Sequence, residues 1–235
     1  MSEVRLTGDL FGQRIREQWT EQLGRRLDVL HAGCAYGHGL DLERIDARVT
    51  AVDEDLAPVR EQLERSDDVD AWSLGDLRSV PIPPRSFDVV LISFLLERIQ
   101  HTELVLDRML NGLRPGGLVL LRMRDRGSAY GFCDRVVPGW ARRLAWPYVV
   151  MDGTPGPLPA CYEPVTSRDG IHAFCLTRGL MVTDEERTTG GPAMGRLGSA
   201  AVGLVDRMSR GRYTSAHDEL SMVIRKPQNH FARLI

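Results

Sequence analysis

Two periods of apolar residues run along the chain. Between residues 9 and 23, Phe11, Ile15, Trp19 and Leu23 recur four apart, which puts them on one face of a helix, and Gly24 ends the run. After that the pattern shortens to nearly continuous apolar runs: LDVLHA (27–32), RVTAVD (48–53), VDAWSL (69–74), FDVVLIS (87–93) and LVLLRM (118–123). Runs without clean alternation predict strands covered by helices on both faces, as in a parallel sheet. The stretches LAPVREQLERS (56–66) and TELVLDRMLNGL (102–113) have the length and apolar repeats of helices. Further on, SRDGIHAFCLTRG (167–179) reads as a helix, LMVTDEER (180–187) and DELSMVIRKP (218–227) as strands, and TTGGPAMG (188–195) as a loop or hinge. Strands alternating with helices predict the α/β class, doubly wound around a mostly parallel sheet.

Composition adds the domain plan. With 235 residues, 43% of them hydrophobic, the chain suits a single domain over 1–235. Residues 1–24 form an N-terminal helical segment, and the insertion at 124–166 follows the fifth strand. That insertion carries Tyr130, Phe132, Trp140, Trp146, Tyr148 and Tyr162 among many Gly, Pro and Arg residues, so it is read as a cap over a substrate. The 30 basic and 32 acidic residues leave a net charge of -2 with no strongly charged tail, so no nucleic-acid partner is expected. The first twenty residues lack a basic-then-apolar targeting pattern, and no apolar run is long enough to span a bilayer. Four cysteines without a CxxC pair add a weak pointer to a reducing compartment. The expectation is a cytoplasmic protein without membrane insertion. Six scattered histidines, without HxH or HExxH spacing, give no case for a metal.

The chemistry concentrates at the ends of the predicted strands. LHAGCAYGHG (30–39) follows the first strand, and Gly33 and Gly37 punctuate a turn through which backbone N–H groups can approach a ligand. Asp53 closes the second strand, where a carboxylate can accept both hydroxyls of a ribose or cap the next helix, and its neighbours Glu54 and Asp55 can cap that helix instead. Asp76 and Leu77 follow the third strand. The carboxylate of the first suits an adenine amino group, and the amide of the second a ring nitrogen.

Together these residues resemble the class I S-adenosylmethionine-dependent methyltransferases. VLHAGCAYG (29–37) is similar to that family's V-L-D-L-G-C-G-T-G loop, and Asp53 stands at its acidic strand end. GDLRSVPIPPRSFDVV (75–90) and GLRPGG (112–117) match two later motifs in order. The resemblance covers roughly 27–123. It implies a Rossmann-like seven-stranded sheet whose last strand is an antiparallel edge, with S-adenosyl-L-methionine as cofactor held by His31, Gly33, Cys34, Ala35, Gly37, Asp53, Glu54, Asp76, Leu77 and Ser93. Two positions depart from the family: His31 stands where it has a carboxylate for the methionine end, and Ala35 where it has a glycine.

The implied reaction is methyl transfer to a small-molecule acceptor, with oxygen the favoured atom and an anionic or partly apolar substrate. His101 and His172 are the candidate general bases. Arg122, Arg124 and Arg126 alternate where the fifth strand ends, so an extended backbone would aim them one way. With Trp19, Tyr130, Trp140 and Trp146 they are the candidate substrate contacts. The rival reading is a protein on this fold that binds the cofactor without transferring its methyl group, motivated by His31 and Ala35. A nicotinamide enzyme is disfavoured because GCAYGHG lacks the G-x-G-x-x-G spacing that cradles a pyrophosphate.

Overall fold

The computed structural model describes residues 8–34, 42, 45–66, 68–149, 159–189, 196–210 and 212–228. Its elements run α1 (Gly8–Glu21), β1 (Leu27–Ala32), β2 (Ala47–Asp53), α2 (Ala57–Glu64), β3 (Ala71–Leu74), β4 (Phe87–Ser93), α3 (Thr102–Gly112), β5 (Leu113–Arg124), α4 (Ala129–Val136), α5 (Gly139–Val149), α6 (Arg168–Arg178), β6 (Met181–Thr188), α7 (Arg196–Met208) and β7 (Glu219–Arg225). The seven strands form one sheet in the order β3-β2-β1-β4-β5-β7-β6. Pairs among β1 to β5 are parallel, and β7 runs antiparallel to both β5 and β6. The last strand is thus antiparallel as expected, but it lies between β5 and β6, and β6 is the edge.

The continuous apolar runs have the predicted cause. Each strand alternates its side chains between two covered faces. On one face Phe11 and Ile15 of α1 pack with Leu27, Val29, Val89, Leu91, Leu118 and Leu120. On the other, Leu106 and Met109 of α3 and Ile171 and Phe174 of α6 pack with Val90, Ile92, Val119 and Leu121. Ile15 is fully buried. Removing a side chain of that size from water stabilises the fold by about 1.5–3 kcal/mol. Trp19 joins the first cluster, and its ring touches the position a Cβ would take on Gly24, just before β1 begins. It therefore belongs to the core at the end of the sheet where β1 starts, which corrects its candidate role as a substrate contact.

Asp88, from the SFD motif, sits at that same end of the sheet. Its carboxylate is buried and accepts from the Asp28 amide at 2.9 Å, Arg25 Nη2 at 2.6 Å and Arg114 Nη1 at 2.6 Å. Here the motif ties α1, β1, β4 and β5 together.

Three helices go beyond the sequence reading. The insertion carries α4, capped by Ser128 accepting from the Gly131 amide at 3.0 Å, and α5. The third, α7, packs on α4. Residues 94–101 form a turn, not a helix, buried as far as Ile99 and exposed at Gln100 and His101. Among the described residues no helix is long and apolar enough to cross a membrane, and no group of His, Cys, Asp and Glu is arranged to hold a metal.

Candidate functional site

The strand order reverses between β1 and β4, so a crevice opens outside their carboxyl ends. Gly33 leaves β1 there with φ +90°. A Cβ on it would stand 2.1 Å from the Ser93 carbonyl oxygen, so the β1 turn and the end of β4 meet through a position only glycine fits. The Cys34 amide points to the end of β2, donating to Asp53 Oδ2 at 2.7 Å, and the Cys34 thiol is buried and raised far above its ordinary range by desolvation. Ala35 and Gly37 lie outside the described residues.

His31 is buried at the end of β1, and its Nε2 has no hydrogen-bond partner among the described residues. Desolvation lowers its pKa to about 4, so the ring is neutral near pH 7.

Asp53 is where the structure departs most from the resemblance. Arg98 Nη2 reaches both of its oxygens at 2.7 Å, the Glu54 amide donates to Oδ1 at 2.7 Å, and the pair is almost wholly out of solvent. The carboxylate assigned to a ribose is thus taken up internally. Glu54 is half-buried, and desolvation raises its pKa despite the nearby Arg98 guanidinium. Asp76 is exposed and held by the Arg78 side chain at 2.7–3.0 Å, which lowers its pKa to about 2. Leu77 is buried at the crevice side of the β3 turn, and Ser93 is buried at the end of β4.

Sequence reasoning missed Arg98 and two further polar groups beside it. Glu97 is buried, and its Oε2 has no hydrogen-bond partner among the described residues. Desolvation pushes its carboxyl up to about 7 against the opposing influence of Arg124 and Arg98. The Tyr162 hydroxyl is buried without a partner among the described residues, and burial raises its pKa well above the usual phenol value. Both residues are joined through backbone: the Cys161 and Tyr162 amides donate to the Glu97 carbonyl at 2.8 and 3.0 Å. Glu163 then accepts from the His101 and Thr102 amides at 2.7 and 2.9 Å, satisfying the start of α3. The returning end of the insertion is therefore fastened onto the turn after β4. The available signal was the unbroken burial of FLLERI, which reads as turn or helix from sequence but is core in fact.

The three alternating arginines part company. Arg122 pairs with Glu219 at 3.0 Å and lies 5.6 Å over the Phe11 ring. Arg124 is buried, bonded to the Tyr130 hydroxyl, with its guanidinium 4.6 Å from the Tyr130 ring centroid and 5.9 Å from that of Phe94. Arg126 follows the strand, half-buried, its amide donating to the Thr166 carbonyl at 3.0 Å. Arg124 and Tyr130 meet beside Phe94, and Arg122 and Arg124 both bear on the Glu219 carboxylate. Trp140 points to solvent, 69% exposed, and the Trp146 side chain lies outside the described residues.

Neither candidate histidine base reaches this cluster. His101 is exposed, in a left-handed turn (φ 56°) before α3. His172 pairs with Glu185 of β6 at 2.9 Å, and Glu185 lies level with Leu121 through Met222, below the end of β5. An unanticipated histidine stands nearer: His217, whose Nε2 is 3.3 Å from Asp125 just past β5.

Residues 30–121 match the family model described as a methyltransferase domain. A 100-residue stretch is 35% identical to a protein of Mycolicibacterium smegmatis named a probable S-adenosylmethionine-dependent methyltransferase, over 42% of this chain and 38% of that protein, so the match takes in under two fifths of the relative's length. Among solved structures, the complex of the Haloferax volcanii Trm112 methyltransferase activator with a methyltransferase aligns with a TM-score of 0.58 at 16% identity, covering 97% of this chain and 99% of that one. The [4+2]-cyclase SpnF aligns with a TM-score of 0.55 at 15% identity, covering 94% and 82%. In its fold, and in the sequence of residues 30–121, the chain is similar to S-adenosylmethionine-dependent methyltransferases.

Proposed function

We propose that the chain binds S-adenosylmethionine in the crevice beyond β1 and β4 and transfers its methyl group to an oxygen of a small, anionic or partly apolar acceptor. The observation that carries the reading is the Gly33 turn, a site only glycine fits, with the orphaned His31 Nε2 beside it at the point where the strand order reverses. When bound, the cofactor supplies a methyl group on a sulfonium, already a good leaving group. The protein's task is then to hold an acceptor in line and exclude water. Arg124, flanked by Phe94 and Tyr130, offers charge and apolar surface to an anionic acceptor. Glu97, with a spare oxygen and a pKa near neutrality, accepts the proton an acceptor hydroxyl must lose.

The test is calorimetric titration with S-adenosylmethionine and S-adenosylhomocysteine, with NAD as comparison, followed by labelled-methyl transfer to phenols and carboxylic acids. Binding of neither sulfur ligand by folded protein overturns the reading. A second reading, binding without transfer, is supported by the neutral His31 where the family has a carboxylate and by a fold shared with a cyclase. Saturable binding with no acceptor consumed across the panel favours it.

A further inference from the structure

We propose that the ribose hydroxyls of the ligand are recognised in this chain by Glu54, while Asp53 serves as a permanently paired internal anion. The inference rests on the adenosylmethionine reading above.

A carboxylate has about four lone-pair sites. Those of Asp53 are taken by four hydrogen bonds of 2.7 Å: Arg98 Nη2 to each oxygen, the Cys34 amide to Oδ2 and the Glu54 amide to Oδ1. The side chains of Asp53 and Arg98 are 0% and 1% exposed. Arg98 is held in turn: its Nε donates to the Phe94 carbonyl at 3.1 Å, and its own carbonyl accepts the Cys161 thiol at 3.1 Å. Freeing Asp53 for a ribose would leave two buried charges without each other, the costliest way to break such a pair.

Glu54 has what Asp53 lacks. Its Oε2 is buried with no hydrogen-bond partner among the described residues. Arg98, Asp53 and Asp76 all bear on its charge, and it bears on the Cys161 thiol. Glu54 follows Asp53 at the end of β2, where the Asp53 carbonyl accepts from the Gly75 amide at 3.0 Å, so it stands beside the turn after β3. Asp76 is instead paired at the surface with Arg78, whose Nε donates to Oδ1 at 2.9 Å and Nη2 to Oδ2 at 2.7 Å. The extra methylene of glutamate lets a carboxylate one position further along reach back over the strand end. A ribose diol donating to Glu54 would satisfy its orphaned oxygen with charge-assisted hydrogen bonds.

The experiment measures binding at pH 8 of S-adenosylhomocysteine and its 2′,3′-dideoxy analogue. Wild type is expected to prefer the hydroxylated ligand by about tenfold or more. Glu54→Ala should bind both with equal affinity, and Glu54→Gln, keeping one acceptor oxygen, should retain part of the preference. Asp53→Asn should melt at lower temperature yet keep the preference at temperatures where it is folded. A Glu54→Ala protein that still discriminates overturns the proposal. So does a folded Asp53→Asn protein that no longer does, since Asp53 would then leave Arg98 for the ligand. Wild-type binding without discrimination removes the proposal alone; no binding of either ligand removes it together with the cofactor reading.

Discussion

Replacing Arg98 by Met isolates what the buried ion pair does for the fold. Methionine keeps an unbranched apolar stem of similar reach and removes the guanidinium. Asp53 then retains two backbone donors, the amides of Cys34 and Glu54, but loses both bonds from Arg98 and its counter-charge in a place with no solvent exposure. Breaking a buried pair from one side costs about 3–5 kcal/mol, most of it the desolvated charge left behind. For a chain of this size each kcal/mol moves Tm by about 2–4 °C, so the expected fall is roughly 6–20 °C. Adding Asp53→Asn removes the stranded charge while keeping one carbonyl oxygen for an amide, and should restore more than about 1 kcal/mol of the loss. Calorimetric melting or urea denaturation of the four proteins in the cycle measures this. A loss under about 1 kcal/mol in Arg98→Met would mean that water reaches Asp53 and that the pair does not lock the strand ends.

Gly33→Ala should destabilise by several kcal/mol or abolish folding, because its Cβ would lie 2.1 Å from the Ser93 carbonyl oxygen at φ +90°; a melting temperature unchanged from wild type would refute the close approach. Glu97 gives a pH signature. Its carboxyl ionises near 4.5 when unfolded and at about 7 when folded, so the folded state holds a proton the unfolded state has released. Stability from this group is full below about pH 4.5 and declines by about 3 kcal/mol as pH rises to about 7. Urea denaturation at pH 5 and pH 8 should show Glu97→Gln losing less stability between those values than wild type, and identical losses would sink the assignment. His172→Gln should leave S-adenosylhomocysteine affinity within about twofold, since the side chain is engaged by Glu185 at the sheet edge; a tenfold loss of affinity would return His172 to the site.

The sheet was legible because burial on both faces marks its central strands: apolar runs at 27–32, 87–93 and 118–123 correspond to β1, β4 and β5, and those at 48–53 and 69–74 to the less buried β2 and β3. Pro115-Gly116-Gly117 has the residues of a turn, yet Leu113 already pairs with Phe87 and β5 resumes its register after a bulge. In α4 and α5, glycine, proline and arginine interrupt the apolar period that would announce a helix, whereas α7 carries that period at Leu197, Ala201, Leu204, Val205 and Met208 and was legible in principle. Side-chain direction was the harder matter. Spacing alone put Arg122, Arg124 and Arg126 together, but Glu219 and Phe11 claim the first and Tyr130 and Phe94 the second. Trp19 followed a helical stripe correctly and so belonged to the core, where a stripe points.

Asp53 illustrates why a motif position and a role can separate. Its place at the end of β2 is fixed by the sheet, whereas its availability depends on residues 45 positions away, in a turn whose conformation the insertion fixes. Glu97 and Arg98 are held by the amides of Cys161 and Tyr162 and by the Cys161 thiol, while Glu163 satisfies the start of α3. The segment predicted as a substrate cap is therefore bonded to the turn that occupies the cofactor-side carboxylate. Asp53 and the returning end of the insertion are thus joined by one short hydrogen-bonded path through Arg98.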